Sequence, residues 1–179
     1  MKLLQAMVVA ALMLTGSVAT AQGLSSNDQA FLERCANTGR AGIDAGRLAL
    51  QKAVRPEVKS FADEMTRDNL AMVTELATLS ASKGVKLPDD SSAAQRTKLR
   101  MLGTKDGNDF ERLYVFELGI KAHEDAIAWF KWAAANAADA DIKAWAAKTL
   151  PVLERHLARA LALQATLPRK DMKTNRKDA

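Results

Sequence analysis

The chain has 179 residues, of which 48% are hydrophobic, and a formal net charge of +5. This length fits one domain that can bury a core without disulfides, and the single cysteine, Cys35, excludes an internal disulfide. We expect Cys35 to be a buried thiol. The basic residues form no stripe interleaved with aromatic residues, which argues against nucleic-acid binding.

Residues 1–21 have the pattern of a secretory signal peptide. Lys2 supplies the positive charge, Leu3 to Leu14 is an apolar run, and Ala19 to Ala21 gives the small residues before a cleavage site. The apolar run is shorter than the roughly 20 residues that a membrane-spanning helix needs. We therefore expect a periplasmic protein that does not span the membrane after the signal is cleaved.

Residues 22–167 are predicted to be helical throughout, because alanine and leucine abound and apolar residues recur at spacings of three and four. The predicted helices cover about 27–53, 56–83, 93–102, 109–136 and 140–166. Pro56 suits the first position of the second helix, and Gly84 suits its end. Four long helices joined by two short connections predict an all-α, antiparallel four-helix bundle with a short extra helix in its middle crossover.

Two features bear on partners. Residues 168–179 are predicted to be a disordered basic tail, because five basic and two acidic residues lie between Arg169 and Ala179. This tail is a candidate contact for an anionic surface or for another envelope protein. Trp129, Trp132 and Trp145 either pack across the last hairpin or form an exposed aromatic ridge.

Several motifs resemble one family in order and spacing over about Asp28 to Leu163. The matching segments are Gly46–Ala53, Pro56–Ala62, Lys83–Pro88, Ala122–Glu124 and Lys148–Leu153 with His156-Leu157. In these segments the chain is similar to the "domain of unknown function 4142" family, often labelled "predicted outer membrane protein". The resemblance implies a periplasmic, ferritin-like four-helix bundle and implies no settled biochemical activity.

The same resemblance implies positions for metal ligands. Related sequences usually carry acidic residues in helix one, an Asp-His pair in helix two, and one histidine in each of the last two long helices. Here those positions hold Gly42 and Asp44, Asp68 and Asn69, His123, and His156. His123, His156 and Asp68 are therefore the candidate metal ligands, and Asp44 and Glu124 are further candidates nearby.

Two interpretations of His123 and His156 remain open. They hydrogen-bond to Asp68, to Asn69 or to each other within the core, in which case no cofactor binds. Alternatively, they and one or two carboxylates hold a single divalent transition-metal ion such as Zn²⁺. Neither histidine follows a Glu-x-x-His pattern, which disfavours a two-metal centre.

No catalytic motif occurs in the sequence, which favours a protein without enzyme activity. The expected function is a non-catalytic envelope or stress-related interaction module. The alternative is a metal-binding ferritin-like protein with a reduced site of histidines and carboxylates in the bundle core.

Overall fold

The computed structural model describes residues 23–168, so the predicted signal peptide and the tail after Pro168 lie outside the described residues. The helices are α1 (Ser26–Lys52), α2 (Pro56–Ser82), α3 (Ala93–Gly103), α4 (Gly107–Tyr114), α5 (Ala122–Asn136) and α6 (Ala140–Thr166), and a π-helical segment (Val115–Lys121) joins α4 to α5. Within residues 23–168 there is no β-strand, which confirms the all-α prediction. None of these helices is both long and apolar enough to cross a bilayer.

Local sequence signals explain where several helices begin. Pro56 is the first residue of α2, where its missing N–H leaves no hydrogen bond unmade. Ser92 and Gln95 form a reciprocal capping box at the start of α3, the short helix of the crossover. The Asp139 side chain accepts from the backbone N–H of Ile142 and so caps α6.

The π-helical segment corrects the prediction of one continuous α-helix over 109–136. A π-helical turn holds more residues than an α-helical turn, so it shifts the register of everything that follows. At Gly119 the segment approaches α6 so closely that an added Cβ would lie 2.9 Å from the Cβ of Ala160. The apolar spacing continues through the segment, and for that reason the sequence pattern does not reveal the irregular turn.

The helices α1 and α2 pack antiparallel at close range because α1 presents glycines to α2. A Cβ added at Gly39 would lie 2.6 Å from Cγ2 of Val73, and one added at Gly42 would lie 2.9 Å from Nδ2 of Asn69. The second close approach brings Asn69 into the middle of the helix pair. A larger side chain at Gly42 would therefore displace a polar group that belongs to the interior.

The core consists of two apolar clusters with a polar layer between them. One cluster includes Phe61, Phe110, Tyr114, Ile120 and Leu163, and the other includes Phe31, Leu76, Phe130, Trp145 and Leu153. On α2, α5 and α6, buried polar side chains lie between the residues of the two clusters. The layer consists of the buried side chains of Thr66, Asn69, His123 and His156, and it positions the candidate site.

Two fully buried carboxylates accept hydrogen bonds from the backbone of the helix connections at the ends of the bundle. Asp28 in α1 accepts from backbone N–H groups of the α5–α6 turn, including that of Asp139 at 3.0 Å. Glu111 in α4 accepts hydrogen bonds from the backbone at the junction between α1 and α2. Its Oε1 accepts from the backbone N–H groups of Val54 and Arg55, each at 2.7 Å, and its Oε2 lies 3.1 Å from Nε of Arg55.

Candidate functional site

His156 is the centre of the polar layer. It projects from α6, its side chain is fully buried, and its Nε2 lies 2.7 Å from Oδ2 of Asp68 on α2. Because an ionised carboxylate can only accept, Nε2 is the nitrogen that carries the proton in this pair. The other ring nitrogen, Nδ1, is buried and has no hydrogen-bond partner among the described residues. The lone pair on Nδ1 of His156 is therefore buried without a hydrogen-bond donor.

The π-helical segment positions the second imidazole. Nδ1 of His123 lies 2.9 Å from the carbonyl oxygen of Leu118, which belongs to that segment. Nδ1 must donate this hydrogen bond, so the lone pair of the neutral ring is on Nε2. The rings of His123 and His156 meet edge to face, with their centroids 5.4 Å apart. The site thus has two adjacent neutral imidazoles.

Burial holds both rings in the neutral form. Burial and, to a smaller extent, the neighbouring His156 together lower the pKa of His123 to about 4, against the opposing effect of the backbone hydrogen bonds. The pKa of His156 is also lowered, chiefly by burial, although the Asp68 carboxylate acts in the opposite direction. At neutral pH both histidines are therefore uncharged, which is the state that a metal ion requires of an imidazole ligand.

A second carboxylate and two arginines complete the cluster. Glu64 lies one turn before Asp68 on α2, and ligand atoms of Glu64, Asp68 and His156 all lie within 4.8 Å of one another. Arg155 lies 2.7 Å from Oδ2 of Asp68 and 3.5 Å from Oε1 of Glu64. Arg159 forms an ion pair with Glu64. Two guanidinium groups thus balance two carboxylates at the mouth of the cluster.

The structure brings together three of the residues singled out in the sequence, because His156 contacts both Asp68 and His123. Glu124 is exposed and Asp44 is half-buried, and neither belongs to the cluster of ligand atoms. Sequence reasoning missed Glu64. Its four-residue spacing from Asp68, which places both carboxylates on one face of α2, is the signal that could have found it.

The cluster also lacks the features of a nucleophilic centre. Cys35 is buried, and burial raises its pKa far above the ordinary range, which keeps the thiol protonated.

Trp145 packs against Phe130 in the core, whereas 43% of Trp132 is exposed. Trp129 lies beneath the guanidinium of Arg34 at 3.2 Å. The three tryptophans therefore occupy three different environments, and neither predicted arrangement describes all of them.

The donor set fits one divalent metal ion of borderline character. Carboxylate oxygens and imidazole nitrogens suit Zn²⁺ and Cu²⁺, and Nε2 of His156 already lies 2.7 Å from the Asp68 carboxylate. An ion among these groups would take the place of the proton between His156 and Asp68. It would also compete with the guanidinium groups of Arg155 and Arg159 for the carboxylates.

The sequence model of the family described as "Domain of unknown function (DUF4142)" matches residues 14–163. No curated protein matches the chain. Among solved structures, the chain is similar to a DUF305 fragment from Deinococcus radiodurans, with 12% identity, a TM-score of 0.71, and coverage of 80% of this chain and 99% of that one.

Two further solved structures are similar to this chain. CopM in its Cu(II)-bound form is 19% identical, with a TM-score of 0.62 and coverage of 77% of this chain and 95% of that one. A conserved hypothetical protein, rv2844, from Mycobacterium tuberculosis is 15% identical, with a TM-score of 0.64 and coverage of 81% of this chain and 95% of that one. At these identities the similarity establishes the helical fold alone.

Proposed function

The chain belongs to the DUF4142 family, and from this premise we propose that it is an exported, non-catalytic bundle that binds one divalent transition-metal ion in its polar layer. The observation that carries the proposal is the convergence of Glu64, Asp68 and His156, with ligand atoms within 4.8 Å of one another, beside the neutral ring of His123. The Cu(II)-bound form of CopM, a similar fold, supports a copper-like ion as the first to test.

The proposal includes the ferritin-like, antiparallel four-helix arrangement. Short connections after α1 and after α5 support two antiparallel pairs, α1 with α2 and α5 with α6. In such a bundle, metal sites form from side chains that project inward from facing helices. Asp68 and His156 project from α2 and α6 and meet in this way.

Export to the periplasm is also part of the proposal, with residues 22–167 as the folded domain. It is supported by the signal-like pattern of residues 1–21. In that compartment we propose a non-catalytic envelope or stress-related role. A buried, protonated Cys35 and carboxylates paired with arginines suit binding better than bond-breaking chemistry.

The arginines set the expected strength of metal binding. A metal ion must displace guanidinium groups from Asp68 and Glu64, so the affinity should be closer to micromolar than to nanomolar. Arg155 is half-exposed, and its loss should remove competition without opening a cavity in the core. If the ion pairs of Arg155 were purely structural, its loss would not be expected to strengthen metal binding.

Titration of the metal-free protein with Cu²⁺ and Zn²⁺, followed calorimetrically, tests the proposal. We expect one ion per chain. His156→Ala should weaken binding about 100-fold or more, since it removes the imidazole ligand. Arg155→Ala should tighten binding by about threefold to tenfold.

Arg67→Ala is the matched control. Arg67 forms an ion pair with Asp63, at 3.2 Å, on the surface of α2, the helix that carries Glu64 and Asp68. This variant should leave the affinity unchanged. An absence of stoichiometric binding, or equal binding by wild type and a folded His156→Ala variant, would contradict the proposal.

A further inference from the structure

The hydroxyl and amide donors around the polar layer serve their own helices. Thr66, Asn69 and Thr149 are buried, and each donates to the backbone carbonyl oxygen four residues earlier on its own helix, at 2.8 Å. None of these three bonds reaches a histidine ring. Nδ1 of His156 accordingly has no donor among residues 23–168, although it is buried.

The layer thus contains two imidazole lone pairs on neighbouring rings. One is on Nδ1 of His156, and the other is on Nε2 of His123, because Nδ1 of His123 donates to the Leu118 carbonyl. The centroids of the two rings are 5.4 Å apart. An ion bound at about 2 Å to one nitrogen of each ring holds two imidazole centroids roughly 5 to 6 Å apart. The observed spacing therefore suits one ion shared by both rings.

The charges near these lone pairs favour a monovalent ion. Asp68 contacts the other ring nitrogen of His156, and its charge is balanced by Arg155. The fully buried acids among residues 23–168, Asp28 and Glu111, lie at the two ends of the bundle. In the Born treatment the cost of burying an ion rises with the square of its charge, so a divalent ion costs about four times as much as a monovalent ion of equal radius. Imidazole nitrogen suits copper, and its monovalent form, Cu⁺, can be held by two ligands.

We propose that the polar layer contains a second metal site, in which Nε2 of His123 and Nδ1 of His156 bind one soft monovalent ion such as Cu⁺. The inference rests on the proposed function in one respect, since both sites use the His156 ring. A divalent ion on Nε2 of His156 leaves the ring's one proton on Nδ1 and so removes the lone pair that the monovalent ion needs. The two sites therefore exclude each other, and each ion weakens the binding of the other by the same factor.

Nitrogen-15 NMR of the protein titrated with Ag⁺ tests the inference. Ag⁺ has the same charge and closed electron shell as Cu⁺, and it needs no reductant. The chain has only two histidines, so each imidazole nitrogen can be assigned. With Ag⁺ bound we expect splitting by the silver nucleus at Nε2 of His123 and at Nδ1 of His156, and no splitting at the other nitrogen of either ring.

Two variants separate the monovalent site from the divalent one. His123→Gln should weaken Ag⁺ binding about 100-fold and leave the affinity for Zn²⁺ within about threefold of wild type. Asp68→Asn should have the opposite effect, because the amide oxygen still accepts from Nε2 of His156 but the carboxylate ligand is lost. In wild type, saturation with Zn²⁺ should weaken Ag⁺ binding at least about tenfold.

Cys35→Ala is the matched control, because the buried Cys35 thiol is a competing soft ligand. The silver splitting at both imidazoles should persist in this variant. Circular dichroism of each variant shows that a change in binding is not a loss of folding.

Two results would overturn the inference. They are the absence of silver splitting in both wild type and Cys35→Ala, and undiminished Ag⁺ binding by a folded His123→Gln variant. If Zn²⁺ binds but neither imidazole nitrogen is split by silver, this inference fails and the proposed function does not. Silver splitting without any binding of Zn²⁺ or Cu²⁺ would support this inference and contradict the proposed divalent site.

Discussion

Glu111→Ala is expected to lower the free energy of unfolding by about 3 kcal/mol. The carboxylate is fully buried and accepts from the backbone N–H groups of Val54 and Arg55, which no helix satisfies at the break between α1 and α2. Its removal leaves these donors without their acceptor and opens a space beneath the junction. Urea unfolding followed by circular dichroism measures the loss.

Two further variants separate this role from a general effect of charge. Glu111→Gln keeps the length of the side chain and one acceptor, so its cost should be roughly half as large. Glu124→Ala removes an exposed glutamate and should change stability by less than about 0.5 kcal/mol. If Glu111→Ala costs no more than Glu124→Ala, the junction does not depend on the buried carboxylate.

Acidification from about pH 7 to pH 4 is expected to destabilise the metal-free protein by roughly 3 kcal/mol through His123. Burial lowers the pKa of His123 in the folded state to about 4, from a value near 6.5 in the unfolded chain. The contribution of neutral His123 to the free energy of unfolding is therefore fully present above pH 6.5 and is lost as the pH falls toward 4. The lowered pKa of His156 acts in the same direction.

Comparison with His123→Gln isolates this contribution, because the carboxylates that titrate near pH 4 are common to both proteins. Glutamine can still donate to the Leu118 carbonyl but does not titrate. The free energy of unfolding, measured across the pH range, should fall less steeply in the variant. Parallel pH profiles for the two proteins would show that His123 is not buried in its neutral form.

Much of the fold could be predicted from the sequence because helix boundaries depend on local chemistry. Pro56 and Asp139 mark the starts of α2 and α6, and the three-and-four spacing of apolar residues places His123 and His156 on inward faces. The buried position of His156 follows from periodicity alone, whereas that of His123 also depends on the π-helical segment before it. Such local signals do not depend on how the helices approach one another.

The remaining features depend on tertiary approach. The π-helical segment fits against α6 at Gly119, and no composition or periodicity in the segment marks the extra residue. Glu64 becomes part of the site because α6 packs against α2 and brings His156 close to Glu64 and Asp68. In the sequence Glu64 is one of many acidic residues on helix surfaces.

Electron paramagnetic resonance of the protein loaded with one equivalent of Cu²⁺ tests the central claim most directly, because it identifies the ligand atoms. We expect splitting from at least one imidazole nitrogen in wild type and in Arg155→Ala, and its loss in His156→Ala. A spectrum without nitrogen splitting, or one that is unchanged in a folded His156→Ala variant, would contradict the claim that the polar layer binds the metal ion.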